Sequence, residues 1–276
     1  MSLAPRSRRL WYYGLAGFLG LAAVGGALPP EPPPAAAAPP APQPTGQPAA
    51  AAPAASPMDE PIRLITAARE AYSRVQDYSC VLVKRERVGP EAPAENVILM
   101  NVRARPFSVY LRWQAPRDLA GQEVCYVTGR YNGQMRVRSA GALGVVGFVS
   151  LDPNDPRARK NSRHSITEAG LGNMLQRLTT GWENERRLNA TQVQLATYEY
   201  NKRKCTRVET VHPSNPNRQF LYYRTVVYFD KETHLPVRME CYDWPRRNGD
   251  KGEAVEVYSY VNLRVNEGLS DEVFNK

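Results

Sequence analysis

The sequence has few of the residues and none of the short motifs that mark common enzymes. Its 276 residues include only three histidines, His164, His212 and His234. There is no Gly-x-Ser-x-Gly turn, the pattern that exposes the nucleophile of an α/β-hydrolase. There is no Cys-x-x-Cys or His-Glu-x-x-His pair to bind a metal ion. The sequence therefore offers no catalytic residue, metal site or cofactor motif, and we expect a non-enzymatic protein.

Long runs of one charge are also absent. The chain carries a net charge of +9, of which residues 1–57 contribute +2 and the remainder +7. Acidic and basic residues alternate through that remainder, so the positive charge is diffuse. Such a balance keeps a protein soluble, and it also attracts anionic lipids or polymers. We expect no nucleic-acid partner.

Charged residues are missing from residues 10–28, which follow Arg6, Arg8 and Arg9. A basic segment followed by an apolar one is the layout of a secretory signal peptide, and residues 25–27 (GGA) suit cleavage. The 19 apolar residues also approach the ~20 that cross a bilayer as a helix. A cleaved signal peptide and an inner-membrane anchor both remain open, and both predict a periplasmic or cell-envelope protein.

Residues 29–57 contain 12 of the 24 prolines, and most of the others are alanines. Such a composition buries too little apolar surface to fold, so we expect a disordered, semi-rigid linker. The globular domain is then predicted to occupy residues 58–276. This layout holds a domain at a distance from a membrane.

The domain begins with a predicted helix over residues 58–75, with Asp59 as its N-cap. A second helix is predicted over residues 166–185, with Thr167 as its cap. Short β runs precede and follow the second helix, and Asn132-Gly133 between two of them predicts a hairpin. Short turns between successive strands indicate an α+β fold with a mainly antiparallel sheet. The strands are predicted at residues 78–87, 96–105, 107–113, 123–128, 134–139, 191–201, 204–211, 220–230, 236–243 and 254–265.

Several segments together resemble the bacterial family known as domain of unknown function 1571. The resemblance covers nearly all of residues 60–276. The segments that carry it are Asp77-Tyr78-Ser79-Cys80, Lys84-Arg85-Glu86-Arg87, residues 105–113 (RPFSVYLRW), residues 121–124 (GQEV), residues 165–171 (SITEAGL), Tyr242-Asp243-Trp244-Pro245, residues 258–266 (YSYVNLRVN) and Phe274.

In its layout the chain is also similar to the outer-membrane lipoprotein carrier (LolA/LolB-like) superfamily. A leading helix feeds a strand, and a strand that begins Pro-Phe follows. A late Pro-x-Arg strand and a final strand that ends in Asn before a Phe close the chain. The resemblance implies a strongly curved antiparallel sheet, an unclosed half-barrel, with helices over its concave face. It also implies a hydrophobic cavity that holds lipid or lipoprotein acyl chains.

Alternation along the strands identifies side chains that would face such a cavity. They fit a ligand-binding cavity and an ordinary filled core equally well, and the sequence leaves both open. The candidate positions are Val109, Leu111, Trp113, Val226, Tyr228, Val237, Met239, Tyr258 and Tyr260.

The four cysteines, Cys80, Cys125, Cys205 and Cys241, all fall in predicted strands. In an exported protein this even count permits two disulfides in three connectivities. We expect at least one bridge, without assigning it; four buried thiols are the alternative.

The charged run that follows the first strand's apolar part is expected to be solvated. Alternation places Lys84 and Glu86 on one face and Arg85 and Arg87 on the other.

Two functions are consistent with these features. The first is an exported carrier or binding domain for a lipid, lipoprotein or other amphipathic ligand. The alternative is a structural or sensory interaction domain that residues 10–28, if uncleaved, tether to the membrane.

Overall fold

The computed structural model describes residues 56–89, 94–213, 219–247 and 249–276. These residues form three α-helices, four 3-10 turns and eleven strands. The helices are α1 (Asp59–Ser73), α2 (Pro156–Arg159) and α3 (Gly170–Leu188), and the 3-10 turns lie at Tyr131–Gly133, Gly141–Val146, Ile166–Glu168 and Asp271–Phe274. The strands are β1 (Asp77–Glu86), β2 (Asn96–Arg103), β3 (Ser108–Ala115), β4 (Glu123–Val127), β5 (Met135–Arg138), β6 (Val149–Leu151), β7 (Gln192–Tyr200), β8 (Arg203–Val211), β9 (Arg224–Asp230), β10 (Pro236–Tyr242) and β11 (Ala254–Val265).

All the strands just named belong to one antiparallel sheet that does not close into a barrel. Their order is β6-β5-β4-β3-β2-β1-β11-β10-β9-β8-β7. The sheet therefore consists of two meanders, β1 to β6 and β7 to β11, joined through α3. Because β1 pairs with β11, the first and last strands lie at the centre of the sheet.

Helices α1 and α3 pack on one face of the sheet and on each other. The apolar stripe of α3 is buried at Leu171, Met174, Leu175, Leu178 and Trp182, which share a core with the strands. The indole of Trp182 lies 6.0 Å from the ring of Phe229 on β9, measured between centroids. The start of α3 is fixed to β1, because the backbone N–H of Leu171 donates to the hydroxyl oxygen of Tyr78 at 2.9 Å.

The C-terminal residues cover part of the other face. Phe274 is fully buried in a second, small core with Cys125 and Val127 of β4. The Cys125 thiol donates to the carbonyl oxygen of Phe274 at 3.3 Å. The last turn of the chain therefore closes the outer side of the first meander.

The predicted α+β fold with an unclosed antiparallel sheet is confirmed. The ten predicted strands are present, and the predicted hairpin at Asn132-Gly133 joins β4 to β5. The short edge strand β6 was not predicted, because its three residues follow a glycine-rich stretch without alternation.

Both predicted helix caps are wrong. Met58 is the N-cap of α1, and Asp59 instead accepts from the backbone N–H of Ser56 at 2.8 Å. Ser165, not Thr167, caps the turn before α3, and α3 itself starts later, at Gly170.

Residues 1–28 and nearly all of the predicted linker, 29–55, lie outside the described residues. Among the helices that the structure describes, none has the length and apolarity needed to cross a bilayer.

Candidate functional site

A cavity of about 250 Å³ lies between the first half of the sheet and the segment that leads into α3. Strands β1 to β5 and β11 form one wall, and residues 151–177 form the other. Strands β7 to β10 do not line it, and over β9 the indole of Trp182 on α3 packs against Phe229. The concave face is thus open over β1 to β5 and β11 and packed over β9.

Apolar side chains make up most of the sheet wall. They alternate along each strand with outward-facing residues, as expected for a sheet whose two faces have different surroundings. The cover adds Ile166, Ala169 and Met174. The apolar side chains that the sheet contributes are Leu82, Ile98, Met100, Leu111, Trp113, Val124, Met135, Val137 and Tyr260.

Charged and polar groups line the rest of the cavity. Lys84, Glu86 and Tyr258 contribute to the wall from the two central strands. The cover contributes Arg157, Lys160, Ser162, His164, Glu168 and Arg177. The cavity thus combines an apolar wall with a polar group of residues in which cations outnumber anions.

Glu86 is buried at the end of β1 and accepts several hydrogen bonds. Its Oε2 accepts from Lys84 Nζ at 3.0 Å, from Ser162 Oγ at 2.9 Å and from the backbone N–H of Arg163 at 3.1 Å. Its Oε1 accepts from the hydroxyl of Tyr258. Burial acts to raise the pKa of Glu86, but the charge of Lys84 and these hydrogen bonds outweigh it and lower the pKa.

Glu256 lies directly across from Glu86 on β11 and is 1% exposed. Its Oε1 accepts from Arg163 Nε at 2.9 Å and from the Tyr222 hydroxyl at 2.6 Å, and its Oε2 lies 3.0 Å from His164 Nε2. Burial acts to raise the pKa of Glu256. The hydrogen bonds from His164, Tyr222 and Arg163 overcome that effect and lower the pKa to about 2.

His164 joins the cover to the sheet. Its Nε2 faces Glu256, and its Nδ1 lies 3.1 Å from the exposed carboxylate of Glu168. The hydrogen bond to Glu256 raises the pKa of His164 against the opposing effect of burial. Residues 162–164 are therefore held to the sheet by two carboxylates, and we call Glu86, Glu256, Ser162, Arg163 and His164 the carboxylate clasp.

Four of the nine predicted ligand-facing residues line the cavity: Leu111, Trp113, Tyr258 and Tyr260. The indole N–H of Trp113 donates to Asn96 Oδ1 at 2.9 Å, which fixes its ring at the wall. Val109, Val237 and Met239 are buried in the main core and do not line the cavity.

The prediction that Val226 and Tyr228 face inward is wrong. Val227 pairs with Met239, and Met239 pairs with Tyr258, so Val227 shares the cavity-facing side. The neighbours of Val227 in β9 must then point the other way, because side chains alternate along a strand. On that outer face Tyr228 packs against the rings of Tyr198 and Tyr200, at 5.5 and 5.7 Å between centroids.

The predicted disulfide is absent, because the four cysteines Cys80, Cys125, Cys205 and Cys241 are buried free thiols. They lie on β1, β4, β8 and β10, and no two of these strands are neighbours in the sheet. Neighbouring strands are about 4.8 Å apart. The Cα atoms of cysteines that lie two strands apart are therefore farther from each other than the ~7 Å that a disulfide tolerates.

Lys84 and Glu86 were expected on a solvated face, and this is also wrong. Alternation assigned them correctly to one face, but that face is covered by residues 162–164. The signals available in the sequence were Arg163-His164, two basic residues next to Ser162, and Glu256 between two valines of a strand. None of these signals shows which residue Arg163, His164 or Glu256 contacts unless the order of the strands is known.

The fold and the cavity define a class of structure: an unclosed antiparallel half-barrel with helices on one face and an apolar cavity beneath part of its cover. Within this class, the chain belongs to the family described as protein of unknown function DUF1571, whose model matches residues 75–276. The family resemblance seen in the sequence is thereby confirmed.

Solved structures similar to this chain include LolA-superfamily proteins. A LolA superfamily protein from Nitrosomonas europaea is 12% identical, with 78% of this chain and 96% of that chain covered and a TM-score of 0.33. The Mycobacterium tuberculosis lipoprotein LppX is 14% identical, with coverages of 77% and 98% and a TM-score of 0.43. A putative outer membrane lipoprotein-sorting protein domain from Vibrio parahaemolyticus is 11% identical, with coverages of 76% and 95% and a TM-score of 0.37. A search of curated proteins finds no match to this chain.

Proposed function

We propose that this protein is a non-enzymatic binding or carrier domain of the cell envelope, and that its ligand is a lipid or another amphipathic molecule. The observation that carries this proposal is the cavity with an apolar wall and a polar group of residues. An amphipathic ligand matches both parts, because its chain avoids water and its head group keeps polar partners.

The size of the cavity narrows the ligand. Its volume of about 250 Å³ is just below the ~300–1,000 Å³ that is usual for small-molecule sites. This volume suits one acyl chain or a similarly slender apolar group. A ligand with several chains requires the cover, residues 151–177, to move away from the sheet.

The polar residues favour an anionic or zwitterionic head group. Arg157, Lys160 and Arg177 line the cavity from the cover, and Lys84 lines it from the sheet. Glu86 is already engaged by Lys84, Ser162 and Arg163. A surplus of cations beside an apolar wall attracts an anion more strongly than the same charges fully surrounded by water.

Binding without chemical turnover is supported by the state of the potential nucleophiles. Burial raises the pKa of the Cys80 thiol, and it raises the pKa of Cys125 to about 11. A thiol of that kind carries little thiolate at neutral pH and is a poor nucleophile. The carboxylates of Glu86 and Glu256 are engaged by several donors each, so they are occupied in holding the cover.

The proposed location in the cell envelope is supported by the layout of residues 1–28, with arginines before an apolar segment. Whether the domain is released or stays tethered depends on cleavage of that segment. Mass spectrometry of the protein isolated from its native membrane and soluble fractions distinguishes the two, because cleavage near Ala27 removes a defined mass.

The binding test uses the delipidated full-length chain and a fluorescent fatty acid whose emission rises in an apolar site. The variant Val137→Trp places an indole in the cavity, where Val137 forms part of the wall. The matched control, Leu195→Trp, adds the same side chain on β7, where Leu195 is 46% exposed.

We expect saturable binding by the wild type and by Leu195→Trp, and at least about a tenfold loss of affinity in Val137→Trp, because the indole occupies the ligand volume. Thermal unfolding of all three proteins verifies that each is folded. Absence of saturable binding by the wild type, or equal affinity in both variants, would overturn the proposal.

A further inference from the structure

Large apolar side chains are exposed together at one place on the surface. Leu143, Val145 and Val146 are 73%, 88% and 76% exposed, and Val149 is 47% exposed. The first three belong to the connection between β5 and β6, Val149 is the first residue of β6, and residues 139–151 contain no charged residue. We call residues 141–149 the apolar tip. Isolated exposed apolar residues are normal, whereas several within one short segment mark an interaction surface.

The backbone of the tip is a tight, defined turn. A Cβ on Gly144 would lie 2.6 Å from the carbonyl oxygen of Ser139, so the chain doubles back on itself there. Gly147 has a φ of 81° and its N–H donates to the carbonyl of Gly144 at 3.1 Å. Arg136 holds the returning strand, since its guanidinium donates to the carbonyl of Phe148 and to Ser150 Oγ, both at 2.8 Å. The aliphatic side chains therefore project from a fixed base.

Two arginines, Arg136 and Arg138, lie at this base. Arg138 directly precedes the turn, and its Nε would lie 3.8 Å from a Cβ on Gly144. After the tip, the acidic residues Asp152 and Asp155 come first, and the exposed basic residues Arg157, Arg159 and Lys160 follow within α2 and its end.

We propose that the apolar tip inserts into the interface of an anionic lipid bilayer. Aliphatic side chains that project from a turn fit a fluid apolar phase, which imposes no shape on them. The tip has no tyrosine or tryptophan, the residues that usually anchor protein interfaces. The basic residues at its base are placed to meet anionic head groups as the tip enters the acyl region.

The tip is continuous with the cavity wall. Met135 and Val137 of β5 line the cavity, and the tip begins four residues after Val137; Leu151, at its other end, lines the cavity as well. Insertion of the tip therefore brings the cavity wall to the membrane surface. This docking surface stands on exposure and charge alone and does not depend on what the cavity binds.

The test places an environment-sensitive NBD fluorophore on the full chain at Leu143→Cys. The native cysteines are buried, so the introduced thiol is the reactive one. The matched control is Glu199→Cys, an exposed position on β7 at the opposite edge of the sheet. Both proteins keep residues 1–28, so any membrane binding by that segment is the same in each. Vesicles of phosphatidylcholine, with or without phosphatidylglycerol, are the probe.

We expect the emission at position 143 to shift to the blue with vesicles that contain phosphatidylglycerol, and no shift at position 199. Adding Val145→Asp and Val146→Asp to Leu143→Cys should weaken this response at least about tenfold, because charges oppose insertion. An equal response at both positions, or no response at 143, overturns the proposal. So does blue-shifted emission at 143 before vesicles are added, which would show that the tip docks on protein. An equal response to neutral vesicles would refute the role of the basic residues.

Discussion

Glu86 and Glu256 lie directly opposite each other on the central strands β1 and β11, and both are buried. Like charges placed opposite each other in a sheet repel and destabilise it. Here Lys84, Arg163 and His164 supply compensating charge, and Arg163 bonds to both carboxylates, one through its backbone and the other through its side chain. The same contacts that remove this repulsion attach the cover of the cavity to the sheet.

Removing the negative charge of Glu256 should therefore destabilise the domain. We expect Glu256→Gln to lower the free energy of unfolding by about 2–4 kcal/mol, because Arg163 and His164 lose a buried charged partner. Urea denaturation followed by circular dichroism measures the change. The matched control is Glu253→Gln, whose side chain is 52% exposed and pairs with Arg87 at the surface. A surface pair contributes about 0–1 kcal/mol, so equal losses in both variants would contradict the role given to the clasp.

The pairing of His164 with Glu256 predicts a pH dependence. The pKa of His164 is raised in the folded protein. The stability that protonated His164 contributes is therefore complete at pH values below the pKa of the unfolded chain, about 6.5. The effect declines as pH rises through the folded pKa. For Glu256 the sign is opposite: its effect is present above about 4.3 and is lost as pH falls toward its folded pKa of about 2.

NMR titration of the histidine ring protons tests the first half of this prediction. The signal that disappears in His164→Gln is that of His164, and its midpoint should lie above about 6.5. In Glu168→Gln the midpoint should remain raised, because Glu256 is the main cause of the shift. A wild-type midpoint at or below that reference value would contradict the ion pair.

Gly170 should tolerate no side chain, whereas Gly181 in the same helix should. Gly170 has a φ of 90°, and a Cβ there would lie 2.5 Å from the hydroxyl oxygen of Tyr78, while a Cβ on Gly181 would meet nothing within 4 Å. We expect Gly170→Ala to cost about 2 kcal/mol or more. Gly181→Ala should add about 0.5–1 kcal/mol of stability, since it removes flexibility from a helix interior.

Thermal and urea unfolding of both glycine variants measure these changes. In a Tyr78→Phe background the cost of Gly170→Ala should fall but not vanish, because the steric clash is relieved and the backbone strain remains. Similar stability of the two alanine variants would show that the α3–β1 junction is more tolerant than its geometry indicates.

The four thiols should be unreactive in the folded protein and fully reactive after unfolding. All four are buried, and burial raises the pKa of each of Cys80, Cys125, Cys205 and Cys241. Iodoacetamide treatment without reductant, followed by intact mass measurement, should give no adduct on the native chain and four on the unfolded one. Two adducts on the unfolded chain would reveal a disulfide.

Alternation in the sequence was enough to predict most strands, but it could not assign faces everywhere. In β9 the residues Val226, Val227, Tyr228 and Phe229 are all apolar and all buried. A run without alternation carries no information about which side faces inward. The pairing of Val227 with Met239 shows which of these residues face the cavity side. That pairing depends on how distant strands are aligned, so it belongs to the tertiary structure.

The sequence also left open whether the inward face encloses a cavity or a filled core. Both outcomes occur along the same sheet, because Trp182 of α3 fills the space over β9 while residues 151–177 bridge the space over β1 to β5. The composition of the strands is similar in the two halves. The difference arises from which segment covers each half and how closely it approaches.

The sequence by itself determined the order of the two long helices and ten of the strands, the family and the charged-then-apolar N-terminus, because each of these depends on local spacing and residue type. Only the tertiary structure decided that Glu86 meets Glu256, that no two cysteines are on neighbouring strands, and that the cavity lies against β1 to β5 and β11. Those features depend on which distant strands become neighbours, and β1 pairs with β11 across more than half of the chain. Local patterns carry no information about that pairing, whereas burial of both central strands and their cover fixes it.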